Sequence, residues 1–215
     1  MAANGLVLYD HPVSSNALKV RFLLATLALR YERVHVPLAW PRPEDYAQVN
    51  PFSRIPTLVD GELVLPESNA ILRYLADREE RDDLYPRAPR ERALVDRALD
   101  AWATLVRPAL FPAENLGLMQ TGDWDDGGGR WQDAADQDAL QTAIGDAREV
   151  LGRWESIIAD NGTVTGTFSI ADCCAGPVLW RWLRLPLDLA DLPRTAALQR
   201  AVANHTAFAG AQPVA

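Results

Sequence analysis

The apolar positions of this chain change rhythm once, near residue 80. Before that point short runs alternate in type. Gly5–Tyr9 reads as a strand, and residues 15–29 are dense enough in Leu and Ala to predict a helix. Glu32–Val36 reads as a second strand. Pro37, Pro41 and Pro43 then break the chain, leaving at most a helical turn near Glu44–Val49. In TLVDGELVL, residues 57–65, two β-rich triplets flank Asp60-Gly61, a two-residue hairpin signal that puts both central positions at positive φ. After Pro66, the stretch ESNAILRYLADREE returns to helical spacing through Ile71, Leu72 and Leu75. The order βαβ then ββα predicts a mixed four-stranded sheet with helices on its faces.

Residues 81–89 (RDDLYPRAP) are charged, carry two prolines and read as a linker between this 1–80 domain and an all-helical domain over 90–215. Helical spacing covers 90–119, interrupted at Pro108 and Pro112, then 133–159, about 170–183 and 194–204. TGDWDDGGGR at 121–130, whose Gly-rich acidic part lies between Trp124 and Trp131, reads as a loop; without a Lys or a strand-to-helix context it is no phosphate cradle. Ser169-Ile170-Ala171-Asp172 has capping-box spacing, with Asp in the place of the usual Glu. Phe168 before it and Cys173 after it fit a hydrophobic staple.

Composition narrows the function. The net charge is −8, carried mainly after residue 80, where Asp123, Asp125, Asp126, Asp133, Asp136 and Asp138 cluster. Nucleic-acid affinity comes largely from phosphate neutralisation, so an acidic chain without a basic stripe predicts no such partner. No run approaches the ~20 apolar residues of a membrane span, and no basic patch with an apolar h-region opens the chain. The expected compartment is the cytoplasm, with no membrane partner. Cys173 and Cys174 are adjacent, and His11, His35 and His205 are scattered, so no metal or disulfide framework is expected.

Against this background, HPVSSNALKVR at 11–21 crowds Ser14, Ser15 and Asn16 into the joint between the first strand and first helix, where one of them would suffice as a cap. The joint is not isolated. NPFSRIPTL (50–58) resembles the Asn-Pro-x-Gly-x-Val-Pro-x-Leu signature of the cytosolic glutathione transferases, LPESNAILRYLA (65–76) resembles their Glu-Ser-x-Ala-Ile segment, and TFSIADC matches their Ser/Thr-x-Ala-Asp box. Ser53 stands where the signature has Gly, and Arg54 where Lys or Gln is common.

The resemblance implies an α/β thioredoxin-like N-terminal domain with a cis Pro56, an all-α C-terminal domain, and a homodimer with Arg73 and Arg78 available to face the acidic second domain of a partner. It also implies glutathione as co-substrate, with no further cofactor. SSNALKVR is similar to the Ser-x-Asn-x-x-Lys-Val-Arg run of the serine-type branches, which puts the thiolate-steadying hydroxyl on Ser14, a supporting amide on Asn16 and the helix cap on Ser15. Tyr9, inside the strand, is poorly placed for the tyrosine alternative. Arg54, Ile55, Pro56, Glu67 and Ser68 would hold the tripeptide, Glu67 meeting its ammonium, Ser68 its γ-glutamyl carboxylate and Arg54 its glycine carboxylate. A small apolar electrophile would lie against Trp102, Val106 and Leu110, a stripe that equally suits core or interface. The expected activity is a glutathione transferase. Alternatives are a disulfide reductase or isomerase on the same fold, the zeta-type isomerase weakened by Asn16 where a Cys would stand, or a non-catalytic binding module.

Overall fold

The computed structural model describes residues 5–121, 137–182 and 188–211. The expected loop beyond Thr121, with Trp124, Trp131 and the acids from Asp123 to Asp136, lies outside them.

The first part is the expected thioredoxin-like unit: β1 (Leu6–Asp10), α1 (Ser15–Thr26), β2 (Tyr31–His35), α2 (Glu44–Val49), β3 (Thr57–Asp60), β4 (Leu63–Pro66) and α3 (Ser68–Arg78). The strand order is β2-β1-β3-β4, with β2 parallel to β1 and the β3–β4 pair antiparallel. Leu6, Leu8 and Asp10 alternate inward along β1, as a period of two requires. The hairpin differs from expectation by one residue. Asp60 pairs with Leu63, so the turn is Gly61-Glu62, and of these only Gly61 takes positive φ (+60°), the arrangement of a turn with Gly at its first central position. Helix α1 also stops sooner than residue 29, at the Leu27 cap, with Ala28 at φ +53°.

The second part is helical among the described residues: α4 (Pro89–Ala101), a π turn (Trp102–Val106), α5 (Arg107–Thr121), α6 (Gln137–Glu155), α7 (Ile170–Arg181), α8 (Pro193–Ala203) and α9 (Phe208–Ala211), the last not foreseen from the sequence. Pro108 and Pro112 do not end the helix. The π turn immediately before them absorbs a residue, and Pro112 sits inside α5.

Helix α7 is the centre of the molecule, buried from Ile170 to Leu179 and packed on α1, α3, α4 and α8. Gly176 is required there, because a Cβ at that position would lie 2.2 Å from Val202 Cγ2 of α8. The capping box forms as predicted. Asp172 Oδ2 accepts from Ser169 N at 2.8 Å and Oδ1 from Val164 N at 2.8 Å, which ties the preceding loop to the helix start. Burial, outweighing these hydrogen bonds, pushes the Asp172 carboxyl up to about 6.

Arg73 and Arg78 are spent within the chain. Arg73 pairs with Asp96 and Asp100 of α4, and Arg78 with Asp60 and Glu79, so both arginines expected at a partner's face already have carboxylate partners within the chain. No described helix is long and apolar enough to cross a membrane.

Candidate functional site

The β1–α1 joint is held from beneath by charge. Asp10, 1% exposed, receives Arg21 of α1 and Arg33 of β2, each at 2.6 Å. The Arg21 guanidinium also donates to the carbonyls of His11 (3.4 Å), Pro12 (3.1 Å) and Ala211 (2.8 Å). Arg181 of α7 donates to the Val13 carbonyl. Three successive carbonyls of the joint are thus fixed by two buried arginines from different parts of the fold. Sequence reasoning missed both.

The joint then presents its two serines in opposite ways. Ser14, not Ser15, is the N-cap: its Oγ accepts from Ala17 N at 3.2 Å. That uses an oxygen lone pair and leaves the hydroxyl proton without an acceptor among the described residues. Ser15, 4% exposed, is turned inward; it donates to Glu114 Oε2 at 3.3 Å and accepts from Arg107 Nη2 at 2.9 Å. The cap expected on Ser15 falls on Ser14 because residue 15 already has helical geometry and faces the helical domain.

The NPFSRIPTL segment builds the opposite rim. Asn50, fully buried, donates to the Arg54 carbonyl at 2.7 Å and to Thr57 Oγ1 at 3.1 Å, and the Tyr46 hydroxyl donates to the same carbonyl at 2.5 Å. Ile55 follows, its N–H and C=O both unpaired among the described residues, and the Ile55-Pro56 bond is cis. Arg42 secures the rim from the other side by donating to the Pro37 carbonyl at 2.8 Å. Glu67 comes next at φ +70° and ψ 109°, an unusual conformation for a residue with a Cβ, and it leads straight into α3. The first turn of α3 has unpaired amides by construction, and Ser68 opens it.

These pieces meet. Ser14, Ser15, Asn16, Arg54, Ile55, Pro56, Glu67 and Ser68 all line one cavity of about 930 Å³. Its remaining wall comes from Val13, Leu38, Trp40 and Arg42 and, across the domain boundary, from Arg107, Phe111, Glu114 and Asn115 of α5.

Trp102, Val106 and Leu110 are not on that wall. They are 0%, 3% and 0% exposed and belong to the core, where Trp102 stacks edge-on against Trp154 at 5.2 Å. The face open to the cavity is the neighbouring stripe, one residue on: Arg107, Phe111, Glu114 and Asn115. It is polar where an apolar wall was expected. Arg107 Nη2 pairs with Glu114 Oε2 at 2.8 Å, and Arg181 Nη1 with Glu114 Oε1 at 3.4 Å. Lys19, 2% exposed, lies close by against Cys174; burial lowers its pKa and raises that of the Cys174 thiol.

A family model described as "Glutathione S-transferase, N-terminal domain" matches residues 4–77. Across nearly the whole chain, the maleylacetoacetate isomerase of Rhizobium meliloti (strain 1021) is 34% identical, the alignment covering 98% of this chain and 97% of that protein. The chain belongs to the cytosolic glutathione transferase superfamily. Within that superfamily it is also similar to glutathione S-transferase F10 of Arabidopsis thaliana, at 30% identity over 75% of this chain and 74% of that one. Among solved structures, the theta class glutathione S-transferase of Xanthomonas axonopodis pv. citri, crystallised with glutathione bound, superposes with a TM-score of 0.83 at 27% identity, covering 99% of each chain.

Proposed function

We propose that this chain is a glutathione-dependent enzyme in which Ser14 steadies the glutathione thiolate for attack on a small electrophile held against α5. The observation that carries the reading is the hydroxyl of Ser14: in a cavity lined by the whole expected tripeptide set, its proton is uncommitted, while that of Ser15 is given to Glu114. Donation to the sulfur anion favours ionisation of the thiol, as does the partial positive charge at the N-terminus of α1. Asn16 supports the anion from the same turn. Ile55 offers an unpaired N–H and C=O to the cysteinyl residue in the manner of an added strand. Ser68 and the first-turn amides of α3 take the γ-glutamyl carboxylate, Glu67 the ammonium and Arg54 the glycine carboxylate. In conjugation, the C–S bond forms as the leaving group departs with its electron pair.

A second reading is glutathione-dependent isomerisation, favoured by the 34% match to a maleylacetoacetate isomerase. There the thiolate adds to an alkene, the new single bond rotates, and the thiolate is expelled unchanged. A thiol titre separates the two: conjugation consumes one glutathione per turnover, isomerisation none.

Ser14→Ala should lower turnover at pH 7 by about 10- to 100-fold, the loss of one hydrogen bond to a charged group, with glutathione affinity nearly unchanged. The deficit should shrink as pH approaches the free thiol pKa of ~8.5. Because Ser14 is also the cap, this variant loses about 1 kcal/mol of stability as well. Ser14→Gly restores most of the cap without the hydroxyl and should keep the rate loss. A variant with normal turnover at pH 7 would sink the assignment.

A further inference from the structure

Glu114 of α5 stands at the back of the cavity, 3% exposed, and its two carboxylate oxygens are divided among three partners. Oε2 accepts from Arg107 Nη2 at 2.8 Å and from the Ser15 hydroxyl at 3.3 Å, and Oε1 faces Arg181 Nη1 at 3.4 Å. All three belong to the β1–α1 joint or reach it. Arg107 Nη2 also donates to Ser15 Oγ at 2.9 Å, and Arg181 Nη1 to the Val13 carbonyl. Ser14 lies between Val13 and Ser15. The residue before it and the residue after it are therefore both held from the helical domain, by groups that meet on one carboxylate.

Such a clamp is costly to build. Burying a carboxylate with two guanidinium groups sets desolvation against attraction, so the cluster is weak evidence for stability alone. Docking two domains does not require it to close on the two neighbours of the residue whose hydroxyl proton has no acceptor among the described residues. Local structure leaves slack at that residue. Ser14 has the extended φ −73° and ψ 113° of a cap, and its Oγ is tied only by Ala17 N at 3.2 Å. A hydroxyl that must aim at a sulfur anion needs its backbone fixed, since a misplacement of about 1 Å can cost about 100-fold in rate.

We infer that Glu114 is a positioning residue of the reaction: it aims the Ser14 hydroxyl at the thiolate, through Ser15 on one side and through Arg181 and Val13 on the other. The inference rests on the reading of Ser14 as the thiolate-steadying residue. It makes the helical domain part of the machinery that ionises the thiol, besides being a wall for the second substrate. Charge alone would make Glu114 act in the opposite sense. A carboxylate behind the joint repels a thiolate in front of it, damped by Arg107, Arg181 and Lys19 of α1. A neutral isostere at residue 114 would then favour the thiolate, whereas loss of aim disfavours it. The two roles differ in sign.

The test is a pH titration of the intact protein with glutathione bound, following the ultraviolet absorbance of the thiolate. Glu114→Gln should raise the pKa of the bound thiol by about 1 unit, an about tenfold smaller thiolate fraction below that pKa. S-methylglutathione, which has no thiol to ionise, should bind within about 3-fold of the wild type by calorimetry. On a Ser14→Ala background the same substitution should no longer raise the pKa, because the hydroxyl it aims is gone. Ser15→Ala cuts the joint from Glu114 while keeping both arginine pairs. It should shift the pKa in the same direction, and it keeps the test decisive if Glu114→Gln fails to fold. An unchanged or lowered pKa in Glu114→Gln, or in Ser15→Ala where that variant stands in for it, overturns the inference. An equal rise on the Ser14→Ala background does the same. Loss of S-methylglutathione binding in Glu114→Gln would show a carboxylate that only holds the site together, and equally overturns it. If the thiol bound to Ser14→Ala titrates as in the wild type, the underlying function reading falls, a result that involves neither Glu114 nor Ser15.

Discussion

Ser53 shows what a single departure from a motif means physically. The resemblance has glycine at this position, and the structure puts Ser53 at φ +53°, in the region where a Cβ is unfavourable. A left-handed L-residue costs about 1–2 kcal/mol, partly offset by the entropy a glycine would lose. Ser53→Gly should therefore stabilise the fold by about 0.5 kcal/mol, read as a rise in the urea midpoint, with glutathione affinity unchanged. At this scale the side of the cavity lined by Ser14, Ser15, Asn16, Arg54, Ile55, Pro56, Glu67 and Ser68 was legible in the sequence, because each of these residues lies in a short motif whose local backbone does the positioning. Arg107, Glu114 and Arg181 were not. They reach the site from α5 and α7 by tertiary contact, and no local pattern records which charged residues of distant helices will share one buried carboxylate.

At the scale of elements, helical period was easier to read than helical phase. Trp102, Val106 and Leu110 were correctly taken as one stripe, but which neighbour the stripe faces depends on α6 and the core, so the cleft received the stripe displaced by one residue, about 100° around the helix. The α7 start is the contrasting case, since a capping box is self-contained. Its Asp172 yields a prediction. Asn has one acceptor oxygen where the carboxylate has two, so Asp172→Asn sets an NH2 against a buried N–H of Ser169 or Val164 and should cost about 1–3 kcal/mol. The native carboxyl titrates near 6 because burial disfavours its charge, above its unfolded value of 3.8. The folded state therefore holds the proton more tightly, and its contribution to stability is full below about pH 4 and lost as pH rises through about 6. Denaturation curves across that range should show the advantage of the wild type over Asp172→Asn shrinking as pH rises.

For the whole molecule, the ion pairs of Arg73 with Asp96 and Asp100 join the sheet domain to α4, and Asn69 of α3 donates to the Leu99 carbonyl at 2.8 Å. The cavity wall on α5 follows directly from α4 through the π turn, so domain packing and site geometry are one problem. We propose that the homodimer implied by the resemblance relies on contacts other than the ion pairs of Arg73 and Arg78, which are made within the chain. Light scattering should give twice the 23.7 kDa chain mass in low and moderate salt, and Arg73→Ala should leave that mass unchanged while lowering the thermal midpoint. A single-chain mass for the wild type would refute the dimer; a mass that falls only in Arg73→Ala would return that residue to the interface.

The π turn at Trp102–Val106 bears on how such a site tolerates insertions and deletions. A wide turn is a length buffer: it carries one more residue than an α turn while handing the helix on in nearly the same direction. Loss of a single residue among exposed Ala103, Thr104 and Leu105 would rewind the segment as ordinary α-helix and leave Arg107, Phe111 and Glu114 facing the cavity. The same loss a few positions later, past the buffer, would have nowhere to be absorbed. It would turn the downstream helix by about 100° and exchange the charged wall for the apolar side of α5. In this helix, the loss of one codon exchanges the cavity wall on one side of Arg107 and leaves it in place on the other.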